Sequence, residues 1–358
     1  MQNVVVILVG FLNGYLFELL HVPAGWLLGA IAVGAIYRLF IADITFPPLL
    51  FDTALAIIGV SISLSIKIDM FKDVAGFLLP QLVSLVTLFV ACFFLAKFLH
   101  RFSNLDAITA LFCCLPAGAS VMIALSREYK AKLSIVAAFQ SVRIMMLVTT
   151  IPIIAGYISP LLDTQVVKNS GLEATEGNTI PMWGALVAYT LIVMTALALA
   201  IKWKIPVASF IYSIMLGFLV HSFAVPLPSM PDVMVGGGMA MLGVIIGARF
   251  DRESVAEFKR IGWTSLGILT AFFVLTFITT FIFYLMTPLD FTTSLLAIVP
   301  AGAAQMASVA ALLDLDASIV AAIQVSRLVI IIITVPMIVP FLVNQEHHQQ
   351  TIAHNNGL

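Results

Sequence analysis

Two copies of one short stretch decide how this chain is organised. Leu115-Pro-Ala-Gly-Ala-Ser-Val-Met122 returns 184 residues later as Val299-Pro-Ala-Gly-Ala-Ala-Gln-Met306. The same separation aligns Ser134–Arg143 with Ser318–Arg327 without a gap. Chance similarity between apolar runs would not keep proline, glycine, glutamine and arginine in step. The sequence therefore predicts an internal duplication.

The composition predicts a protein that is surrounded mostly by lipid. Apolar residues make up 61% of the 358 positions and charged residues 10%, whereas soluble domains are about 45–50% apolar and about 25% charged. Mean hydropathy is +1.12. A formal net charge of −1 argues against the basic face that a nucleic-acid-binding protein needs. We therefore expect the lipid bilayer as a partner, and no direct contact with nucleic acid.

Apolar segments long enough for membrane helices recur along the chain, six in each copy. The longest polar interior stretch surrounds Lys168 and is expected outside the cell. The predicted divisions are a first membrane repeat at 1–158, a polar extracytoplasmic linker at 159–181, a second membrane repeat at 182–344 and a disordered tail at 345–358.

The fifth apolar segment of each repeat is interrupted at its centre, by Pro116–Gly118 and by Pro300–Gly302. Asp106 and Asp290 precede these segments where a helix N-cap is expected. Each half-segment of about 10 residues would form about 15 Å of helix, enough to reach mid-membrane and turn back. Re-entrant segments would leave five spans per repeat and inverted copies. Full crossing would leave six spans and parallel copies, and the distribution of Lys and Arg favours neither.

The fold class that follows is an all-α polytopic membrane protein. We expect two repeats of five spans plus a broken or re-entrant helix, roughly 10–12 transmembrane segments in total. The favoured arrangement is the inverted repeat that is typical of secondary transporters.

The interruptions are the first candidate for function. Proline removes a backbone donor and glycine relaxes the chain, so Pro116 and Pro300 should leave main-chain groups without partners. At mid-membrane depth such groups are tolerated only inside protein or beside a wet cavity. Transporters use such breaks to present main-chain dipoles to solutes. The alternative is a kink that only shapes packing.

Two arginines within apolar helices are the second candidate. Arg143 and Arg327 lie too deep for easy snorkelling, and a charge there costs about 2.5–3.5 kcal/mol unless it faces the protein interior. Gln140 and Gln324 precede them by three residues and share their helix face. The guanidinium groups could recognise an anion or carboxylate. Alternatively, they could donate to carbonyls freed by the neighbouring broken helix.

The predicted substrate-binding residues come from both copies, and we expect no catalytic residue, metal site or cofactor. The cysteines and histidines lack metal-ligand spacing. The candidate residues are Pro116, Ala117, Gly118, Ala119, Ser120, Gln140, Arg143, Pro300, Ala301, Gly302, Ala303, Gln305, Gln324 and Arg327.

The paired Pro-Ala-Gly-Ala segments, each followed by Gln and Arg, resemble the duplicated AbrB-type membrane proteins of bacteria. The resemblance covers nearly the whole chain. The break in that family typically reads Pro-Gly-Gly-x-Ser-x-Met; here Ala117 and Ala301 replace the first glycine, and Ala304 replaces the serine. The family is distantly similar to inverted-repeat cation/anion transporters, which favours the re-entrant interpretation.

The resemblance implies a multi-pass protein of the bacterial inner membrane. The leading hypothesis is a secondary-transporter-like protein for a small anionic or zwitterionic solute; a homodimer stays an open alternative to a monomer. The second hypothesis is a membrane sensor that influences gene expression indirectly, since some relatives are called regulators. Others are called ammonia monooxygenases, and this chain shows no clustered His or carboxylate site for copper. We therefore expect no enzymatic activity.

Overall fold

The computed structural model describes most of the chain. The described residues are 2–66, 70–103, 105–116, 122, 126, 129, 131–162, 180–203, 207–249, 252, 256, 262–331 and 334. Residues 163–179 of the predicted linker (159–181) and the predicted tail (345–358) lie outside them.

All regular structure in these ranges is helical. The helices are α1 Gln2–Leu19, α2 Gly25–Ile36, α3 Pro48–Ser63, α4 Met70–Phe102, α5 Ala107–Cys114, α6 Leu133–Leu162, α7 Met182–Lys202, α8 Ala208–Leu219, α9 Asp232–Gly247, α10 Trp263–Met286, α11 Phe291–Ile298, α12 Ala303–Leu312 and α13 Ala317–Ile331. Five of them, α1, α4, α6, α7 and α10, are long and apolar enough to cross a membrane. An all-helical, multi-pass membrane protein is therefore confirmed.

Matching features of the helices recur 183 or 184 residues apart. Ala24 and Val207, both in the left-handed conformation, precede α2 and α8, and each helix ends in a π-helical turn. Asp106 accepts a hydrogen bond from the Thr109 amide at 2.9 Å, and Asp290 accepts one from the Thr293 amide at 2.7 Å. The predicted N-caps of α5 and α11 are thus confirmed. The relative orientation of the two copies stays a prediction.

Helices from the two halves of the chain, the predicted copies, pack against each other. Helix α2 of the first packs against α9 of the second, and α8 of the second packs against α3 of the first. Glycines allow the close approach: a Cβ on Gly34 would lie 2.2 Å from the Val244 carbonyl oxygen, and one on Gly243 would lie 2.6 Å from that of Leu27. The largest buried apolar cluster therefore draws on both copies.

A second group of helices surrounds the interrupted segments. Helix α4 packs on α10, α4 also packs on α5, and α10 packs on α11. Helix α6 contacts α5, α11 and α12. The breaks are thus held between the long helices of both copies, which places them in the protein interior.

Candidate functional site

The helix interruption in the second copy lies where the sequence predicts it. Helix α11 ends at Ile298 and α12 begins at Ala303. Between them the Ala301 amide donates to the Val299 carbonyl at 3.0 Å. Gly302 then adopts φ 121°, ψ 132°, a backbone conformation that glycine adopts without the steric penalty of a Cβ. The chain changes course between the two helices without a side-chain cap on α12.

The first copy shows the same approach to its break. Helix α5 ends at Cys114, and Leu115 is extended (φ −63°, ψ 132°) as Val299 is after α11. Leu115 and Pro116 are buried. The predicted site residues Ala117, Gly118, Ala119 and Ser120 lie outside the described residues.

Gln324 and Arg327 bind the carbonyl end of α11. The Gln324 Nε2 donates to the carbonyls of Leu296 (2.7 Å) and Val299 (3.0 Å). The Arg327 guanidinium donates to those of Ile298 (2.8 Å) and Val299 (2.9 Å), and also to Gln324 Oε1. The last carbonyls of a helix lack partners within the helix. Here two buried side chains of α13 supply the missing hydrogen-bond donors.

Gln140 and Arg143 do the same for α5. The Gln140 Nε2 donates to the carbonyls of Phe112 (2.9 Å) and Leu115 (3.3 Å), and Arg143 donates to that of Leu115 at 2.9 Å. The Arg143 guanidinium also lies 4.8 Å from the ring centroid of Phe272 on α10, within range of a cation–π interaction. We call each Gln–Arg pair with its carbonyls a carbonyl clamp.

These contacts match the second of the two roles considered for the arginines. Both guanidinium groups brace the end of a broken helix, as do both carboxamides three residues earlier. Direct contact between an arginine and a solute stays a prediction. The two roles are compatible, because a guanidinium has five N–H donors.

The start of α12 presents main-chain donors to the break. The amides of Ala303, Ala304 and Gln305 have no acceptor among the described residues; the first intrahelical bond is donated by Met306 to the Gly302 carbonyl at 3.1 Å. The Gln305 carboxamide lies over Gly302: a Cβ there would come within 2.2 Å of Gln305 Oε1. Gln305 is half-buried. This end of α12 thus has three free N–H groups and an amide side chain beside them.

The charge around the breaks is positive. Arg143 and Arg327 place one guanidinium at the end of each first half-helix. Over the described ranges, no carboxylate lies within 4.0 Å of Arg327. The N-terminal end of a helix adds a partial positive charge of its own. An anion is therefore the charge type that this region favours.

The buried carboxamide of Gln81 was not predicted from the sequence. Gln81 on α4 is 2% exposed; its Nε2 donates to the Ile323 carbonyl (2.7 Å), and its Oε1 accepts from Ser326 (2.9 Å). These bonds fix α4 to the helix that carries Gln324 and Arg327. The available signal was a glutamine within an otherwise apolar segment, which in a membrane should face protein.

Sequence comparisons place these features in a wider group. The model of a family described as "Transition state regulatory protein AbrB" matches residues 2–96 and 26–343. "Putative regulator AbrB" of Escherichia coli (strain K12) is 25% identical over 333 residues, which cover 91% of this chain and 92% of that protein. "Uncharacterized protein YhjN" of Bacillus subtilis (strain 168) is 29% identical over 253 residues, 66% of this chain and 64% of that protein.

Proposed function

The chain belongs to the AbrB family, and from that premise we propose that it is a secondary-transporter-like membrane protein for a small anionic or zwitterionic solute. The proposal assigns it to the bacterial inner membrane and gives it no enzymatic step, metal or cofactor. Its partners are the bilayer and the solute, without direct contact to nucleic acid.

The observation that carries this proposal is the open N-terminal end of α12 inside an interrupted membrane segment. The amides of Ala303, Ala304 and Gln305 have no partner among the described residues. Main-chain N–H groups at a helix start bind carboxylates and phosphates, because they donate hydrogen bonds and carry partial positive charge. In transporters with broken helices, half-helix N-termini point at anionic solute groups near the bilayer midplane.

The carbonyl clamps support the same ligand charge. A break exposes the positive start of one half-helix and the negative end of the other, so an anion would be attracted and repelled at once. Here Arg327 donates to the carbonyls of Ile298 and Val299, and its positive charge offsets their dipoles. The α11–α12 break thereby keeps an attraction for anions.

We extend the proposal to an inverted repeat, with five spans and one re-entrant segment in each copy. The packing of α2 on α9 and of α8 on α3 supports it, because corresponding helices of the two copies make corresponding contacts, as a two-fold relation between the copies requires. Cysteine-accessibility labelling at Lys168 and at either terminus tests it. Inverted copies require both termini in the cytoplasm and residue 168 outside.

The functional test is counterflow in proteoliposomes. Small carboxylates are first screened by thermal shift on the detergent-purified protein, and the strongest stabiliser serves as the probe. We expect Arg143→Gln with Arg327→Gln to abolish carboxylate-dependent counterflow. A control with Lys97→Gln and Lys202→Gln removes the same charge from exposed positions and should retain it. Unchanged uptake by a folded double arginine variant would reject the proposed role of the arginines.

The printed names of the family and of the Escherichia coli relative favour a second candidate, a membrane sensor without flux. Such a sensor would bind the same carboxylate saturably, give no counterflow and retain a partner protein during purification. Counterflow by the purified chain alone would exclude it.

A further inference from the structure

The two carbonyl clamps contain matched glutamines whose side chains have the same orientation. Gln140 and Gln324 each donate through Nε2 to two carbonyls, located 28 and 25 residues earlier in both copies. A carbonyl oxygen can only accept, and a carboxamide donates only through its nitrogen, so these bonds fix which end of each carboxamide is the oxygen. In both copies the carbonyls of the broken helix end are bonded to Nε2, and Oε1 is left for another partner.

The two carboxamide oxygens have different surroundings. Gln324 Oε1 accepts a hydrogen bond from Arg327. Gln140 Oε1 is fully buried and has no donor within the described part of the chain. Most buried side-chain acceptors in proteins have a partner, and an orphan of this kind calls for an explanation. Of the two glutamine oxygens, Gln140 Oε1 is therefore the one that can accept a hydrogen bond from a solute.

Gln140 bonds to the first break, and the helix that carries it also contacts the helices of the second break. Gln140 lies on α6, and α6 packs against both α11 and α12. The open N–H groups at the start of α12 thus belong to an element that adjoins the helix of the orphan acceptor. The neighbouring positive charge of Arg143 disfavours an isolated cation at Gln140. A neutral O–H group, or an ammonium group offset by its own carboxylate, is the donor that fits.

We propose that Gln140 Oε1 is a specificity-determining acceptor for a solute that carries a hydroxyl or amino group beside its carboxylate. This inference rests on the proposed function and narrows its ligand to hydroxy and amino acids. The carboxylate binds at the start of α12, and the O–H or N–H group donates to Gln140. A solute that lacks the donor leaves the buried acceptor without a partner and should therefore bind much more weakly.

Matched acids test the inference without any mutation. Binding to the purified wild-type protein is measured by calorimetry for propionate, lactate and alanine, and for butyrate with its 2-hydroxy and 2-amino derivatives. We expect at least one donor-bearing acid to bind about tenfold or more tightly than the plain acid of the same length. Equal affinity within each series overturns the inference but leaves the proposed function standing. Failure of every acid to bind overturns both.

A pair of variants then tests whether the preference for donor-bearing acids depends on Gln140 Oε1. Gln140→Leu and Gln324→Leu each remove two bonds to the end of a broken helix. Gln324→Leu also removes the acceptor of Arg327, so this control disturbs the bracing at least as much as the test variant does. The first should abolish the preference for the donor-bearing acid, and the second should retain it. Loss of the preference in both variants, or in neither, would overturn the assignment to Gln140. If Gln140→Leu does not fold, the wild-type comparison still decides the inference.

Discussion

The two interrupted segments share the geometry of their first half-helix, and their sequences differ after the break. Both end their first half-helix in an extended residue, and both give its carbonyls to a Gln–Arg pair. At the other side of the break, Ser120 corresponds to Ala304 and Val121 to Gln305. The shared residues satisfy a need that every broken helix has, namely donors for its last carbonyls. The residues that differ are free of that need and can serve selectivity.

The two halves can also be compared in the apolar core, where α2 crosses α9 and α8 crosses α3. Gly34 on α2 and Gly217 on α8 occupy corresponding positions, 183 residues apart. A Cβ on Gly34 would meet main-chain atoms, the Val244 oxygen at 2.2 Å and the Ala248 nitrogen at 3.0 Å. A Cβ on Gly217 would meet the Ser63 side chain, with Oγ at 2.0 Å. At this pair of positions the approach is thus limited by backbone on α9 and by a side chain on α3.

The largest effect is expected from removal of the second carbonyl clamp. Arg327→Leu leaves three buried acceptors without this donor, on Ile298, Val299 and Gln324. We expect the free energy of unfolding to fall by about 3 kcal/mol, measured by denaturation in detergent or lipid. Lys97→Leu, at an exposed position, should change it by less than about 0.5 kcal/mol. Similar values for the two variants would show that the clamp does not support the α11–α12 break.

An intermediate effect is expected at the crossings. Gly34→Ala should lower the free energy of unfolding by about 2–3 kcal/mol, because backbone cannot move aside without shifting a helix. Gly217→Ala should lower it less, and adding Ser63→Ala should recover part of the loss by removing the nearest atom. Thermal unfolding of the single and double variants measures both. An equal loss for Gly34→Ala and Gly217→Ala would contradict the distinction between the two crossings.

Local features of the fold were predictable from the sequence, and long-range ones were not. The N-caps at Asp106 and Asp290 and the break at Pro300–Gly302 depend on residues within a few positions of each other. The clamps join residues 25–29 positions apart. The sequence therefore indicated that the Gln and Arg side chains face the protein interior, but it did not decide whether they bind a solute or the carbonyls of a broken helix.

Contacts between the two copies were the hardest feature to predict from the sequence. Nothing near Gln81 indicates that it bonds to residues 242 and 245 positions later. The packing of α2 on α9 is indicated in the sequence only by small residues such as Gly34 and Gly243, which also occur for other reasons. Distant partners are chosen by the packing of whole helices, and a single sequence does not contain that information.

The smallest and most discriminating effect lies between the two carboxamides. Gln140→Leu and Gln324→Leu both deprive two carbonyls of a donor, but only the second also removes the acceptor of Arg327. Gln324→Leu should therefore destabilise the protein by about 1 kcal/mol more than Gln140→Leu, as measured by chemical denaturation. A double-mutant cycle of Gln324→Leu with Arg327→Leu measures the coupling between the two side chains, which includes this bond and the Val299 carbonyl to which both donate. If Gln140→Leu is as destabilising as Gln324→Leu, Gln140 Oε1 already has a partner in the resting protein, and the two copies are closer in energy than their hydrogen bonds indicate.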